Sequence, residues 1–124
     1  MQLFQENPEF SYVLRGAGPD GVRVNQQLLT RSFVLAPFQL VEDWRPASVD
    51  ELTPDDLQAV LELKPSVVIL GTGLRQRFPS AAVMATVLQR GFGMEVMDSA
   101  AAARTFNVLA TEGRAVVAAF LVPG

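Results

Sequence analysis

Hydrophobic positions near the start of the chain alternate with polar or flexible ones, as they do in half-buried β-strands. Phe10, Tyr12 and Leu14 follow this pattern, and the alternation resumes over residues 22–24. Residues 18–21, with the sequence GPDG, are typical of a turn between the two runs. The pattern therefore predicts an N-terminal β-hairpin.

Two further strand-like runs cover residues 32–36 and 38–44. Pro37 lies between them, and a proline cannot donate a hydrogen bond within a β-ladder. We expect a bend or a sheet edge here rather than one continuous central strand.

Helical patterns dominate the rest of the chain. Thr53 can cap a first helix, Pro54 suits its first position, and apolar residues then recur at helical spacing until Lys64. Residues 67–70 form a continuous apolar run, which indicates a strand that is buried on both faces.

A second helix is predicted from Pro79 to Gly91, and a short strand follows over residues 94–97. Ser99 can cap a third helix that ends near Thr111.

The last strand is predicted over residues 115–122, so the second half of the chain is a βαβαβ unit. Strands joined by helical crossovers are parallel, and their helices cover the faces of the sheet. The remaining strands come from the N-terminal half. We predict an α/β fold with a mixed β-sheet, an N-terminal hairpin and a C-terminal βαβαβ unit.

The composition fits a single domain over residues 1–124. Of the 124 residues, 49% are apolar and 19% are charged, which is enough apolar material for one core. The net charge of −3 argues against nucleic acids and acidic membrane surfaces as partners. The chain has neither cysteine nor histidine, which excludes disulfides, thiolate nucleophiles and imidazole metal ligands.

Residues 1–9 lack the basic start and the apolar run of a targeting segment. The longest apolar runs elsewhere fall short of the roughly 18 residues that span a bilayer. We expect a cytoplasmic protein without an integral membrane segment, and a homo-oligomer stays open.

Two loops follow parallel strands at the edge where α/β proteins usually bind ligands. Residues 71–77 contain two glycines that could expose backbone amides, and Asp98 and Ser99 begin the next helix. One interpretation is a polar pocket in which Arg75 or Arg77 holds an anionic group. The other is purely structural, because Asp98 would repel an anion and could instead bond helix amides or fix the glycine loop.

The third helix contains four consecutive alanines at residues 100–103 and an asparagine, Asn107, in its middle. Asparagine is disfavoured inside helices, so either its side chain is simply solvated or its amide ties the helix to a neighbouring loop. We favour the tether over solvation and over a ligand contact. The predicted buried stripe comprises Ala102, Ala103, Phe106, Leu109 and Ala110.

Few groups could support catalysis. Asp98, Ser99, Tyr12 and Lys64 are the candidates, and none forms a recognised nucleophile–base pair in the sequence, so we assign no catalytic residue. We also predict no metal site, because the available acids flank a helix start and suit its positive end; they are Asp50, Glu51, Asp55 and Asp56.

Two segments carry a resemblance to a known family: residues 65–73, PSVVILGTG, and residues 97–114, MDSAAAARTFNVLATEGR. The chain resembles the small uncharacterised α/β family that contains mitochondrial complex I assembly factor 3, an adipogenesis-associated vertebrate relative and bacterial stand-alone proteins. In that family a threonine often follows the aspartate and a cysteine often precedes the arginine. Ser99 and Ala103 occupy those places here, so no cysteine-dependent chemistry is implied.

The resemblance implies a three-layer domain with a mixed sheet, no established enzyme activity and, for the mitochondrial branch, a role in the assembly of respiratory complex I. Its motifs, carried over residue by residue, point to ligand- or partner-binding candidates: Gly71, Thr72, Gly73, Asp98, Arg104, Thr105, Asn107 and Arg114.

Two functions follow as alternatives. The first is a non-catalytic interaction or assembly module for respiratory-complex biogenesis, which would bind a protein partner through an apolar patch. Trp44, Phe38 and Phe78 are candidate anchors, although large aromatic side chains are usually buried. The second is a binder of, or an enzyme on, a small anionic metabolite at the edge formed by residues 71–77 and Asp98, which we call the glycine-loop edge. Neither alternative requires a cofactor.

Overall fold

The computed structural model describes residues 12–124. Phe10 and residues 1–9, for which the sequence predicts no targeting segment, lie outside these described residues. The strands are β1 (Leu14–Gly18), β2 (Gly21–Val24), β3 (Gln27–Leu29), β4 (Phe33–Ala36), β5 (Gln39–Val41), β6 (Val67–Gly71), β7 (Met94–Met97) and β8 (Val116–Phe120). The α-helices are α1 (Gln58–Leu61), α2 (Ala81–Leu88) and α3 (Ser99–Thr111).

The strands form two sheets. Strands β1, β2 and β3 make an antiparallel three-stranded sheet, and the other five make a mixed sheet in the order β5-β4-β8-β6-β7. Strand β6 is parallel to both β7 and β8, whereas β4 is antiparallel to β8. The predicted mixed sheet, hairpin and βαβαβ unit are confirmed, with the hairpin in a sheet of its own.

The N-terminal half differs from the sequence pattern in detail. Strand β1 begins at Leu14, so Tyr12 precedes it, and β3 was not predicted. Strand β3 follows a two-residue turn that starts at Asn25, whose φ of 53° is left-handed. Asparagine tolerates that conformation and favours such hairpin turns. Pro37 lies in the tight turn between β4 and β5, and β5 is a sheet edge as expected.

Both faces of the five-stranded sheet are covered, because successive side chains of its strands enter different cores. Ile69 packs with α3 and the three-stranded sheet, whereas its neighbours Val68 and Leu70 pack with α1, α2 and the segment before them. Phe33 and Phe120 stack on the α3 side with ring centroids 5.0 Å apart. The three-layer arrangement implied by the resemblance is confirmed.

Polar side chains form hydrogen bonds with backbone amides at the starts of the helical segments. Thr53 precedes a 3-10 turn, Pro54–Leu57, that runs into α1, and its backbone N–H donates to the Asp56 carboxylate at 2.8 Å. Helix α2 begins after Pro79, at Ala81, because the Ser80 hydroxyl accepts a hydrogen bond from the Val83 amide. In α3 the predicted stripe is buried except for Leu109, which is half-buried.

Candidate functional site

The two loops predicted to share an edge do meet, and Ser99 joins them. The Ser99 amide donates to the Gly73 carbonyl, and the Gly73 amide donates to the Ser99 hydroxyl oxygen, both at 2.8 Å. Ser99 is almost fully buried. This reciprocal pair fastens the exit of β6 to the start of α3.

Ser99 does not cap α3, contrary to the expectation from the sequence. Asp98 is the N-cap, and its carboxylate accepts a hydrogen bond from the Ala101 amide at 2.8 Å. The reason is that the Ser99 hydroxyl is taken up by Gly73, one strand away. Asp98 and Ser99 thus perform separately the two structural roles that the sequence suggested for Asp98.

The amide and the hydroxyl of Thr72 form hydrogen bonds only to backbone groups of the described residues. Its amide donates to the Met97 carbonyl at 2.9 Å, and its hydroxyl lies 2.6 Å from the Arg75 carbonyl and 3.2 Å from the Met97 carbonyl. The hydroxyl oxygen also accepts from the Arg77 amide at 3.1 Å. The amides of Thr72 and Gly73 are therefore both engaged within the protein.

The glycines themselves are explained by close packing. A Cβ on Gly71 would lie 2.8 Å from the Phe120 ring. Gly73 has a φ of +96°, and a Cβ there would lie 2.6 Å from the Pro123 carbonyl oxygen. Both positions need glycine for the contact of this loop with the C-terminal strand and its exit, independently of any ligand.

The two arginines of the loop do not converge on a pocket. Arg77 forms an exposed ion pair with Asp50 at 3.0 Å, and Arg75 is exposed without an ion pair among residues 12–124. The cavity at this edge has a volume of about 50 Å³, and neither arginine lines it. Because a water molecule occupies roughly 30 Å³, this space suits a water rather than a metabolite.

The candidates on α3 are spread along the helix instead of forming one cluster. Arg104 is exposed, and the Thr105 hydroxyl contacts the sulfur of Met97 at 3.5 Å. Asn107 bonds the backbone of Leu14 through both ends of its side-chain amide, as the tether that the sequence predicted. Arg114 follows the end of the helix, away from the glycine loop.

Arg114 lies instead beside an open groove of about 460 Å³. We call it the Phe38 groove. It lies between the β4–β5 turn, the end of α3 and the start of β8, and its walls include Ala36, Pro37, Phe38, Gln39, Leu63, Ala110, Gly113, Arg114, Ala115, Val116 and Val117. This volume falls within the range of ordinary binding pockets.

The three candidate aromatic anchors, Trp44, Phe38 and Phe78, differ in solvent exposure. Trp44 is 7% exposed, and its indole N–H donates to the Asp56 carbonyl at 2.9 Å, so it belongs to the core. Phe38 and Phe78 are each 67% exposed. Only Phe38 of these two lines the groove. Its place in the tight turn after Pro37 is the sequence signal that indicates exposure.

An ion pair with two hydrogen bonds lies outside both the glycine-loop edge and the Phe38 groove. The Arg45 guanidinium donates to the two carboxylate oxygens of Asp56 at 2.9 and 2.7 Å. This pairing holds the pKa of Asp56 below its usual value, with help from the Thr53 hydrogen bonds. Within residues 12–124 no three acidic side chains lie together as a metal site would require.

No nucleophile–base pair is formed by the residues that the sequence offered for catalysis. Asp98 and Ser99 direct their side chains to Ala101 and Gly73. Over the same described part of the chain, no helix is long and apolar enough to cross a membrane.

The family model described as "Protein of unknown function (DUF498/DUF598)" matches residues 14–121. The chain belongs to the DUF498 family. The match runs from β1 to the residue after β8, so it contains both the glycine loop and the Phe38 groove.

Curated DUF498 relatives carry a functional name. Human NADH dehydrogenase [ubiquinone] 1 alpha subcomplex assembly factor 3 is 32% identical over 105 residues, which are 83% of this chain and 56% of that protein. The Danio rerio protein of the same name is 27% identical over 99% of this chain and 71% of its own length. The chain thus spans little more than half of the human protein.

Solved structures show the same fold. An NMR structure of a Xanthomonas campestris protein is 52% identical, with a TM-score of 0.84, and the match covers 100% of this chain and 94% of that one. A Bordetella pertussis protein described as an Mth938-like domain is 28% identical, with a TM-score of 0.81 and coverage of 100% and 94%. The resemblance of the sequence motifs to the family that contains mitochondrial complex I assembly factor 3 is confirmed.

Proposed function

We propose that the chain is a non-catalytic interaction module that serves the assembly of a membrane-bound respiratory complex from the cytoplasm. It binds a protein partner in the Phe38 groove. The observation that carries this proposal is the exposure of Phe38 on the wall of the groove. A large aromatic side chain at an open apolar groove is typical of the anchors that dominate binding at protein interfaces.

The names of the curated relatives support a role in the assembly of a respiratory complex. Several relatives are named assembly factors of NADH dehydrogenase, and the alignment with the human protein includes most of this chain. The glycine-loop edge offers less support for the binding of a metabolite, because the amides of Thr72 and Gly73 and the hydroxyl of Ser99 are hydrogen-bonded within the protein. The net charge of −3 favours a protein partner over a nucleic acid.

The alternative is a small anionic metabolite at the glycine-loop edge. The Arg75 guanidinium, which makes no ion pair within residues 12–124, favours it. The small cavity and the engaged amides give an anion little else to bind. Its test is thermal stabilisation by inorganic phosphate in the full chain and in the Arg75→Ala, Arg77→Ala double variant. Stabilisation that the double variant loses would favour this alternative over the interaction module.

The interaction module is tested by deleting the gene in its own cells and measuring assembled NADH dehydrogenase on native gels. We expect less assembled enzyme, restored by the wild-type chain and by Phe78→Ser but not by Phe38→Ser. Phe78 is the matched control because it is equally exposed and lies outside the groove. An unchanged enzyme level in the deletion strain would overturn the proposal.

A further inference from the structure

The Phe38 groove carries a cation that has no counter-ion in the described residues. Arg114 lines the groove, is exposed, and makes no ion pair within residues 12–124. Three arginines are paired with aspartates: Arg31 with Asp43, Arg45 with Asp56 and Arg77 with Asp50. Arg114 shares its lack of an ion pair within residues 12–124 with Arg15, Arg23, Arg75, Arg90 and Arg104, but it is the one of these six that lines the Phe38 groove. No carboxylate of residues 12–124 therefore competes with a partner for the guanidinium at the groove.

The backbone at Arg114 is fixed, so this cation is not carried by a loose loop. The Gly113 amide donates to the Ala110 carbonyl and the Arg114 amide donates to the Leu109 carbonyl, each at 3.0 Å. Gly113 has a φ of +78°, the left-handed conformation that ends α3. The negative end of the helix dipole also favours a positive side chain at this position.

We propose that the groove binds a short apolar segment of a partner protein and that a carboxylate of this segment pairs with Arg114. The inference rests on the interaction-module function and specifies its partner. The apolar walls bury one or two hydrophobic side chains, and the planar guanidinium binds a carboxylate through two parallel hydrogen bonds.

The shape of the groove favours a peptide segment over a small molecule. Small-molecule pockets cover most of their ligand, whereas Phe38 forms the wall of this groove with two-thirds of its surface in water. A peptide segment can pack against Phe38 from outside while it fills the groove. Because the whole chain carries a charge of −3, an acidic partner gains attraction only near a local cation such as Arg114.

The test uses three synthetic peptides and NMR of the ¹⁵N-labelled full chain. The peptides are acetyl-Ser-Glu-Leu-Phe-Ser-amide and its versions with glutamine or lysine in place of glutamate. We expect shifts of the backbone amides of Gln39, Gly113 and Arg114, and a dissociation constant about fivefold larger for the glutamine peptide than for the glutamate peptide. The lysine peptide should bind more weakly still.

Charge reversal separates the ion pair from simple apolar binding. In Arg114→Glu the lysine peptide should bind more tightly than the glutamate peptide, while the matched control Arg104→Glu keeps the original order. Absence of groove shifts with all three peptides would overturn the inference, as would an unchanged order in Arg114→Glu. Groove shifts that appear on raising the protein concentration without peptide would also overturn it, because a second copy would then be the occupant.

The two proposals fail in different experiments. If none of the peptides binds but the deletion strain has less assembled NADH dehydrogenase, the partner chemistry proposed here is overturned and the role in assembly is supported. Peptide binding in the predicted order without that defect would support the partner chemistry and overturn the role in respiratory-complex assembly.

Discussion

Asn107 bonds both backbone groups of Leu14, a residue 93 positions earlier in the chain. The Asn107 Nδ2 donates to the Leu14 carbonyl at 2.7 Å, and the Leu14 amide donates to Oδ1 at 3.0 Å. Leu14 begins β1, whose other side pairs with β2. The side chain of Asn107 thus takes the place of a neighbouring strand and joins α3 to the three-stranded sheet.

Replacement of Asn107 by alanine should destabilise the protein by about 1–3 kcal/mol, because it leaves a partly buried N–H and C=O without partners. Chemical denaturation measures this change. Arg104→Ala, on the exposed face of the same helix, should stay within about 0.5 kcal/mol of the wild type. Equal stabilities for the two variants would contradict the assigned tether.

Ser99→Ala should weaken the connection between β6 and α3. The substitution removes the acceptor for the Gly73 amide, and we expect a loss of about 1–3 kcal/mol. Hydrogen exchange should show faster exchange at the Gly73 amide in particular. Ser66→Ala is the control, because the Ser66 hydroxyl makes only a long, exposed contact to Ala115. Unchanged protection of Gly73 would show that its amide has another partner.

Gly73→Ala should cost about 2 kcal/mol or more, because alanine is strained at a φ of +96° and its Cβ would press on the Pro123 carbonyl. Gly93→Ala is the matched control, since a Cβ there meets nothing within 4 Å. Thermal unfolding of the two variants and the wild type measures the difference in stability. A Gly73→Ala protein as stable as Gly93→Ala would mean that the loop is not held against the C-terminal segment.

The Arg45–Asp56 pair predicts a contribution to acid stability. Since the folded-state pKa of Asp56 lies below its unfolded value, the stabilisation is complete above the unfolded pKa, which is about 3.9. It is lost as the pH falls through the lower folded pKa. Asp56→Asn should therefore flatten the decline of the unfolding free energy in acid, and Asp55→Asn should not. Equal pH profiles for the wild type and Asp56→Asn would contradict this assignment.

Local sequence patterns account for most of the fold. The apolar run at residues 67–70 and the strand-like run at residues 32–36 each predict a strand that the structure contains. Strand β3 was missed because it is three residues long and begins with a glutamine, so its stability comes from pairing with β2 rather than from its own pattern. Such pairing depends on tertiary context.

The candidate site was less accessible from the sequence. Asp98 rather than Ser99 caps α3, because the Ser99 hydroxyl instead accepts a hydrogen bond from the amide of Gly73, 26 positions earlier in the chain. The Phe38 groove is formed by segments from three distant parts of the chain, so no single motif contains it. Phe38 and Arg114 were each singled out by the sequence, but only the fold brings them to the same surface.

Site-specific photo-crosslinking in cells tests the central claim most directly. A benzoyl-phenylalanine at position 38 should form an adduct that contains a subunit of NADH dehydrogenase or of its assembly machinery. The same probe at position 78 should not, because Phe78 is equally exposed but lies outside the groove. An adduct of equal yield at both positions, or none at position 38, would contradict the assignment of the Phe38 groove as the docking surface.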